Sequence, residues 1–260
     1  MSESLALITG AGRGIGRAIA IRLSSAGIPV VLVARSSEEI TELRNEIIEH
    51  GGKAYATPCD IGISAEVNAL RDDIQSELGT VNILVNNAGI APSSKFEAIT
   101  DDVWRETFAA NVDGAFYMTR AFLPGMIEAS NADLSGKSHI ISNASTAALE
   151  GFRFTAAYTA SKHALLGLMR ALAAEYGKTG IKFSTICPGF TRTQILSEAI
   201  HATMSRGATL ERAEAMFAMM NHEGRLIEPE EIAETIYRII TNPDLPSGQV
   251  YRADGTVIES

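Results

Sequence analysis

The chain has 260 residues, 46% of them hydrophobic, and a formal net charge of -9. That length and apolar content suit one α/β domain with a large core. The acidic balance argues against nucleic acid or an anionic membrane as partner, because affinity for either rests on cations meeting phosphates.

In chain order, the N-terminal MSESLALITG lacks the basic start of a signal peptide, and no apolar run reaches the roughly 18 residues that cross a bilayer. Leu5 to Thr9 reads as a strand closed by glycine, and Gly14 to Ser25 as a helix with Ile15, Ala18, Ile19, Ile21 and Leu23 apolar. Pro29 to Ala34 is a second strand, Glu38 to His50 an amphipathic helix stopped by Gly51 and Gly52, and Lys53 to Cys59 a third strand. A helix over Ala65 to Leu78 leads to a fourth strand, Val81 to Val85, closed by Asn86-Asn87-Ala88-Gly89. Thr100 caps one long helix with Asp101 and Asp102 in its first turn. Then come strand His139 to Asn143, helix Ala156 to Tyr176, and strand Ile181 to Cys187 ended by Pro188-Gly189. Helix Glu230 to Thr241 follows Pro229, and Gln249 to Arg252 is the last strand.

Continuous apolar strands alternating with helices predict a doubly wound parallel sheet of about seven strands with helices on both faces, one α/β domain over residues 1–260. The stretch 191–224 breaks the rhythm. It is long for a connection and carries Met204, Met216, Met219 and Met220, so it reads as a substrate lid, against the plainer alternative of two surface helices. Cys59 and Cys187 form neither a CxxC pair nor a metal-ligand spacing. Buried free thiols in a reducing compartment, the cytoplasm, are expected, and no metal.

TGAGRGIG, Thr9 to Gly16, stands where the first strand hands over to the first helix. Glycines there let backbone approach a pyrophosphate, and the N–H groups and dipole of the following helix favour its charge. The spacing is not GxGxxG, which needs glycine at Ile15. It is TGxxxGxG on Thr9, Gly10, Gly14 and Gly16, with Gly12 and Arg13 between. A turn that merely permits tight packing is the alternative.

Six further features keep order with this loop: Asn86 to Gly89; Asn111 in AANVDG; Ser145 thirteen residues before Tyr158; Tyr158-Thr-Ala-Ser-Lys162; Pro188-Gly189; and Asp254-Gly255. Together they resemble the short-chain dehydrogenases/reductases of the single-domain kind, over nearly the whole chain. The layout is most similar to the 3-oxoacyl-thioester reductase branch. The resemblance implies a Rossmann-like three-layer fold, a homotetramer packed through helices near 103–129 and 156–176, and hydride transfer between a nicotinamide and a carbonyl or secondary alcohol. It implies that Tyr158 exchanges a proton with the substrate oxygen, Ser145 holds that oxygen, Lys162 bonds the nicotinamide ribose, and Asn111 supports a water relay to Lys162. The spacing agrees: Tyr158 and Lys162, four apart, share a helix face. A phenol of pKa near 10 is a poor acid–base group at pH 7 unless a neighbouring ammonium lowers it. Asn143 stands where the family often has serine, with little effect expected.

An acidic residue would read the NAD ribose at Ala34; here Arg35 follows, with Ser36 beyond and Arg13 in the glycine loop. A guanidinium pairs with a 2′-phosphate that a carboxylate repels, so NADP(H) is favoured over NAD(H). Asp60 and Ile61 are expected beside the adenine, Asn87, Ala88 and Gly89 along the adenosine, and Pro188, Gly189 and Thr191 toward the nicotinamide carboxamide or phosphates. Ala147, Ala148, Leu149, Phe152 and Phe154 form a candidate substrate wall, with Phe190, Ile195, Leu196 and the methionines as a roof. They point to a lipophilic 3-oxoacyl thioester, cyclic ketone or steroid-like ring. Arg192 and Arg206 either meet a substrate phosphate or are solvated. The competing readings are an NAD-dependent catabolic alcohol or hydroxyacyl dehydrogenase and a catalytically silent dinucleotide sensor or scaffold. The presence of Asn111, Ser145, Tyr158 and Lys162 together speaks against the silent form.

Overall fold

Strand–helix alternation becomes, in a computed structural model that describes residues 4–132, 138–205 and 207–258, a seven-stranded parallel sheet. The strands are β1 (Ala6–Thr9), β2 (Val30–Ala34), β3 (Ala54–Pro58), β4 (Ile83–Asn86), β5 (His139–Asn143), β6 (Lys182–Ile186) and β7 (Gln249–Tyr251). Their spatial order is β3-β2-β1-β4-β5-β6-β7. The chain winds outward from β1 in one direction, then returns to build the other half from β4, so the order reverses between β1 and β4.

The strands are apolar on both faces because both faces are covered. On one side Ala6, Ile8, Val30 and Leu32 pack beneath α1 (Gly14–Ser25), α2 (Ser37–Glu49) and α9 (Pro229–Thr241). On the other side Leu7, Val31, Val33 and Leu84 pack beneath α3 (Ser64–Glu77), α5 (Gly114–Ala132) and α6 (Ala156–Tyr176). Every expected strand and helix is present, with ends shifted by a residue or two, where fraying makes boundaries soft.

Two segments depart from local periodicity. The expected long helix after Thr100 is interrupted: α4 (Asp101–Phe108) passes through a π turn at Ala109–Asp113 before α5 begins. Thr100 does cap α4, accepting from the Val103 N–H at 3.2 Å. The 191–224 stretch folds as two helices, α7 (Gln194–Met204) and α8 (Leu210–Ala218), around a small core of Leu196, Ile200, Ala213 and Leu226. Met204 packs against that core, whereas Met216, Met219 and Met220 are exposed. Cys59 and Cys187 are buried free thiols. Among the described residues no helix is long and apolar enough to cross a membrane, and no cluster of ligating side chains could hold a metal.

His139 on β5 is 1% exposed, and neither ring nitrogen has a hydrogen-bond partner. Burial pushes its pKa down from 6.5 to about 4, and Lys182, its register partner on β6, adds repulsion. Between those values the unfolded chain binds a proton that the folded protein refuses. Stability therefore falls as pH drops from 6.5 to 4, by up to about 3 kcal/mol. His139→Leu is expected to flatten that part of the profile in urea unfolding at pH 7 and pH 4.5; an unchanged slope would rule the assignment out.

Candidate active site

The reversal of strand order leaves a crevice at the carboxyl ends of β1 and β4. Thr9 at the end of β1 closes its floor. The Thr9 hydroxyl donates to the Val85 carbonyl at 3.3 Å and accepts from the Asn87 and Ala88 N–H groups at 2.9 and 3.0 Å. The Asn87 amide donates to the carbonyls of Thr9 (2.9 Å) and Gly10 (3.3 Å). Thr9 and Asn87 thus spend their polar groups joining the two strand ends. Gly10, at φ +64°, passes so close that a Cβ would lie 2.8 Å from the Ala88 Cα. A Cβ on Gly16 would collide with the Gly10 carbonyl, so α1 comes down on the loop only because residue 16 is glycine.

α1 starts at Gly14 after Arg13, and no side chain caps it. Its first N–H groups and its dipole face the crevice, where a phosphate would satisfy them. The residues present therefore fit a pyrophosphate-bearing cofactor. Ile15 is half-buried against the core beneath the loop. Arg13 is engaged by protein groups: Nη1 donates to Gln194 Oε1 at 2.6 Å and stands 3.8 Å from Glu39. Glu39 itself lies against Gly12. Arg35, at the end of β2, is exposed and among the described residues unpaired. The Ser36 hydroxyl is the cap of α2, accepting from the Glu39 N–H at 3.4 Å. Asp60 turns its carboxylate to the Gly62 N–H at 2.9 Å, and Ile61 packs on Gly114 where the π turn ends.

Across the crevice, α6 presents Tyr158 and Lys162. The Lys162 ammonium is 4% exposed, donates to the Asn143 carbonyl at 2.9 Å, and lies 5.7 Å from the centre of the Tyr158 ring. Burial lowers its pKa from 10.5 to about 8. Burial also raises that of Tyr158, and the facing Ser145 hydroxyl offsets part of the rise. The net direction is upward, opposite to the depression expected from the ammonium, and desolvation of the phenolate is its largest cause. Beneath both, the buried Cys187 thiol is pushed up to about 11 by burial and stays neutral.

The π turn carries Asn111, 1% exposed. The Asn111 amide donates to the Ile90 carbonyl and Ser161 hydroxyl, both at 2.9 Å, and its oxygen accepts from the Ile90 N–H at 2.8 Å. Both amide protons are taken, so any relay toward Lys162 bypasses that group. Gly89 fills the gap: a Cβ there would lie 2.8 Å from Asn111 Oδ1 and 3.6 Å from Lys162 Nζ.

Three residues to which the sequence assigned no role matter here. Asn143 is not incidental: besides holding Lys162 by its carbonyl, its side chain donates to Asn87 Oδ1 at 2.9 Å, linking the lysine to the glycine loop. Ser161 donates to the Tyr158 carbonyl at 2.7 Å while receiving Asn111. Asn221 holds the loop after β6. A serine inside Tyr158–Lys162 was a visible signal; Asn221, in no motif, had none.

Pro188 accepts from the Thr146 N–H at 2.9 Å, tying the β6 loop to the Ser145 loop. Thr191 is buried and donates to the Gly189 carbonyl at 3.0 Å. Ala147 and Ala148 are buried, Phe152 meets Phe190 edge-on at 5.9 Å, and Leu149 and Phe154 are exposed at the rim. Ile195 is exposed and Leu196 lies inside the α7–α8 core, so only part of the expected roof is free. Arg192 is paired with Glu214 at 2.8 Å and Glu228 at 3.0 Å, and Arg206 lies outside the described residues.

Holding Lys162 charged at pH 7, below its folded pKa, costs stability. Lys162→Met is expected to raise the unfolding free energy by about 1–3 kcal/mol at pH 7, the lost bond to Asn143 taking back part of the gain. Urea denaturation measures it, and a destabilised variant would contradict the assignment.

Residues 4–203 match the family model described as short chain dehydrogenase. A 3beta-hydroxysteroid dehydrogenase from Mediterraneibacter gnavus is 38% identical over 74% of this chain and 68% of its own length. An actinorhodin polyketide ketoreductase variant solved with NADPH superposes with TM-score 0.88 at 30% identity, covering 98% of both chains. The L-sorbose reductase from Gluconobacter frateurii, solved with NADPH and L-sorbose, gives TM-score 0.89 at 27% identity over 100% of this chain and 98% of that one. With the glycine loop, the Tyr158–Lys162 face and the sheet order already in place, these matches settle the lineage: the chain belongs to the short-chain dehydrogenase family of oxidoreductases.

Proposed function

We propose that this protein is an NADP(H)-dependent carbonyl reductase and secondary-alcohol dehydrogenase acting on a lipophilic substrate, such as a 3-oxoacyl thioester or a cyclic ketone. The observation that carries the reading is the convergence of Tyr158, Lys162 and Ser145 beside an uncapped helix N-terminus, with an unpaired Arg35 at the end of β2. NADPH in the actinorhodin ketoreductase and L-sorbose reductase structures supports the choice of coenzyme. The apolar rim, with Phe152, Phe154 and Leu149, supports a lipophilic substrate.

The reduced nicotinamide, when bound, supplies hydride to the carbonyl carbon. The chain does the rest. The Ser145 hydroxyl orients the carbonyl oxygen. The Tyr158 phenol, kept protonated at neutral pH by burial, donates its proton to that oxygen. Lys162 holds the ribose hydroxyls and presents positive charge to the phenolate as it forms. Asn111 positions α6 through Ser161. The first N–H groups of α1 hold the pyrophosphate. Arg35 and, when it leaves Gln194, Arg13 hold the 2′-phosphate, with Asp60 and Ile61 beside the adenine. We read the chain as a single domain with α7–α8 as a lid; the two buried free thiols fit a reducing compartment such as the cytoplasm. A homotetramer through α4–α5 and α6 fits the exposure of Trp104 (41%) on α4 and of Phe116 (40%), which lines a 170 Å³ groove with Leu123, Leu168 and Leu172.

NADPH is expected to bind more tightly than NADH in a fluorescence titration. Arg35→Ala should weaken NADPH by about 10–100-fold while leaving NADH unchanged, the loss of one charge-assisted phosphate contact. Equal affinities in the wild type would shift the assignment to an NAD-linked dehydrogenase. Ketone reduction should fall as pH rises through about 8, where Lys162 loses its proton. Tyr158→Phe should lose at least about 100-fold in kcat, the size of a general-acid contribution; retained turnover would remove Tyr158 from the mechanism.

A further inference from the structure

Asn221 lies at the end of the α7–α8 segment, 7% exposed, in no sequence motif. Its side chain is fully used. Oδ1 accepts from the Phe190 N–H at 2.7 Å, and Nδ2 donates to the Phe190 carbonyl at 2.9 Å and the Arg225 carbonyl at 2.7 Å. One amide therefore clamps both main-chain groups of the residue that follows Pro188-Gly189. The fit is close enough to dictate its neighbour: a Cβ on Gly189 would collide with Asn221 Oδ1.

That clamped loop is tied to the Ser145 loop on one side and to α8 on the other. Pro188 is bonded to Thr146, next to Ser145. The Phe190 ring meets Phe152 edge-on at 5.9 Å and Phe217 of α8 at 5.0 Å, so three rings run from the Ser145 loop to α8. The Phe190 carbonyl also accepts from the Ile227 N–H at 3.1 Å. Beyond Asn221 and the Phe190–Phe217 ring contact, α8 is held to this region by the surface pair Arg192–Glu214, exposed and weak, and by the small Leu196–Leu226 core.

We propose that Asn221 is a positioning residue: it locks the α7–α8 segment onto the Gly189–Phe190 loop and so fixes the aromatic wall against which a carbonyl substrate orients. The inference deepens the function proposed above and rests on its placing of the substrate beside Ser145 and Phe190.

Four proteins test it: Asn221→Leu, Asn221→Asp, which keeps the shape but sets a carboxylate against two carbonyls, Gly189→Ala, which expels the amide, and Gly189→Ala with Asn221→Leu. Each is compared with the wild type by hydrogen exchange, and the two Asn221 single variants also by steady-state reduction of cyclohexanone with NADPH. In every variant, peptides over 194–218 are expected to exchange at least about tenfold faster while β1, β4 and β5 keep their protection. For Asn221→Leu and Asn221→Asp, KM for the ketone should rise about tenfold with kcat changed by less than about threefold; the Gly189 variants are read by exchange alone. The double variant should be no worse than either single one, because both remove the same contact. Unchanged exchange over 194–218, additive effects in the double variant, or loss of protection across the whole sheet would each overturn the proposal, the last by giving Asn221 a global structural role. If the wild type reduces no carbonyl, the proposed function fails, and the exchange data alone still decide whether Asn221 locks the segment.

Discussion

The parting of strand order between β1 and β4 is the constraint from which the site follows. Chain leaving β1 and chain leaving β4 must diverge, so a crevice opens at their carboxyl ends. An open crevice between two strand ends would leave main-chain groups unpaired, and the Thr9 hydroxyl and Asn87 amide take up that demand. With the seam closed, Gly10 and Gly16 bring α1 down until its uncapped N-terminus faces the opening. The helix end is left polar and unsatisfied at the one place where an anionic group can reach it.

The opposite wall is built against stability. Lys162 keeps an ammonium in a nearly water-free setting with the Asn143 carbonyl as its hydrogen-bonded partner, and its depressed pKa measures the cost. Tyr158 beside it is half-buried, and desolvation raises the pKa of its phenol. Such concessions recur where chemistry needs a group out of water, and the surrounding structure must hold them in place. Here the surround is specific. The π turn in the α4–α5 run swings Asn111 inward to bond Ile90 and Ser161, which braces α6 one turn from the tyrosine. Asn143 and Asn87 link that lysine back to the glycine loop, so both walls share one hydrogen-bonded network.

The third side is made separately. α7 and α8 carry their own small core and meet the sheet through the Gly189–Phe190 loop. A segment with few ties to the main core exchanges shape more readily than the sheet does. The aromatic contacts Phe152–Phe190–Phe217 give it a defined inner face, while Met216, Met219 and Met220 remain at the outer rim. Shape at the proposed substrate wall is thus set by a handful of contacts rather than by the fold.

The strands, the flanking helices and the Tyr158–Lys162 face were legible in the amino-acid order because each depends on residues within a turn or two: runs of buried aliphatics, caps such as Thr100, glycines at a strand–helix junction. Asn111 was legible only as a motif; that it sits in a π turn depends on what α6 and the Ile90 loop offer its amide. The same holds for the Tyr158 phenol, whose direction of shift is decided by how much water the folded site excludes, a quantity no spacing contains. Asn143, Ser161 and Asn221 bond across 56, 50 and 31 positions of sequence. The order of residues by itself determined the sheet, its helices and the chemical groups lining the crevice, since hydrophobic periodicity and turn chemistry are local. Which of those groups touch, and which are kept dry, only the tertiary structure decided, because contacts between distant residues and the exclusion of water arise when the layers close.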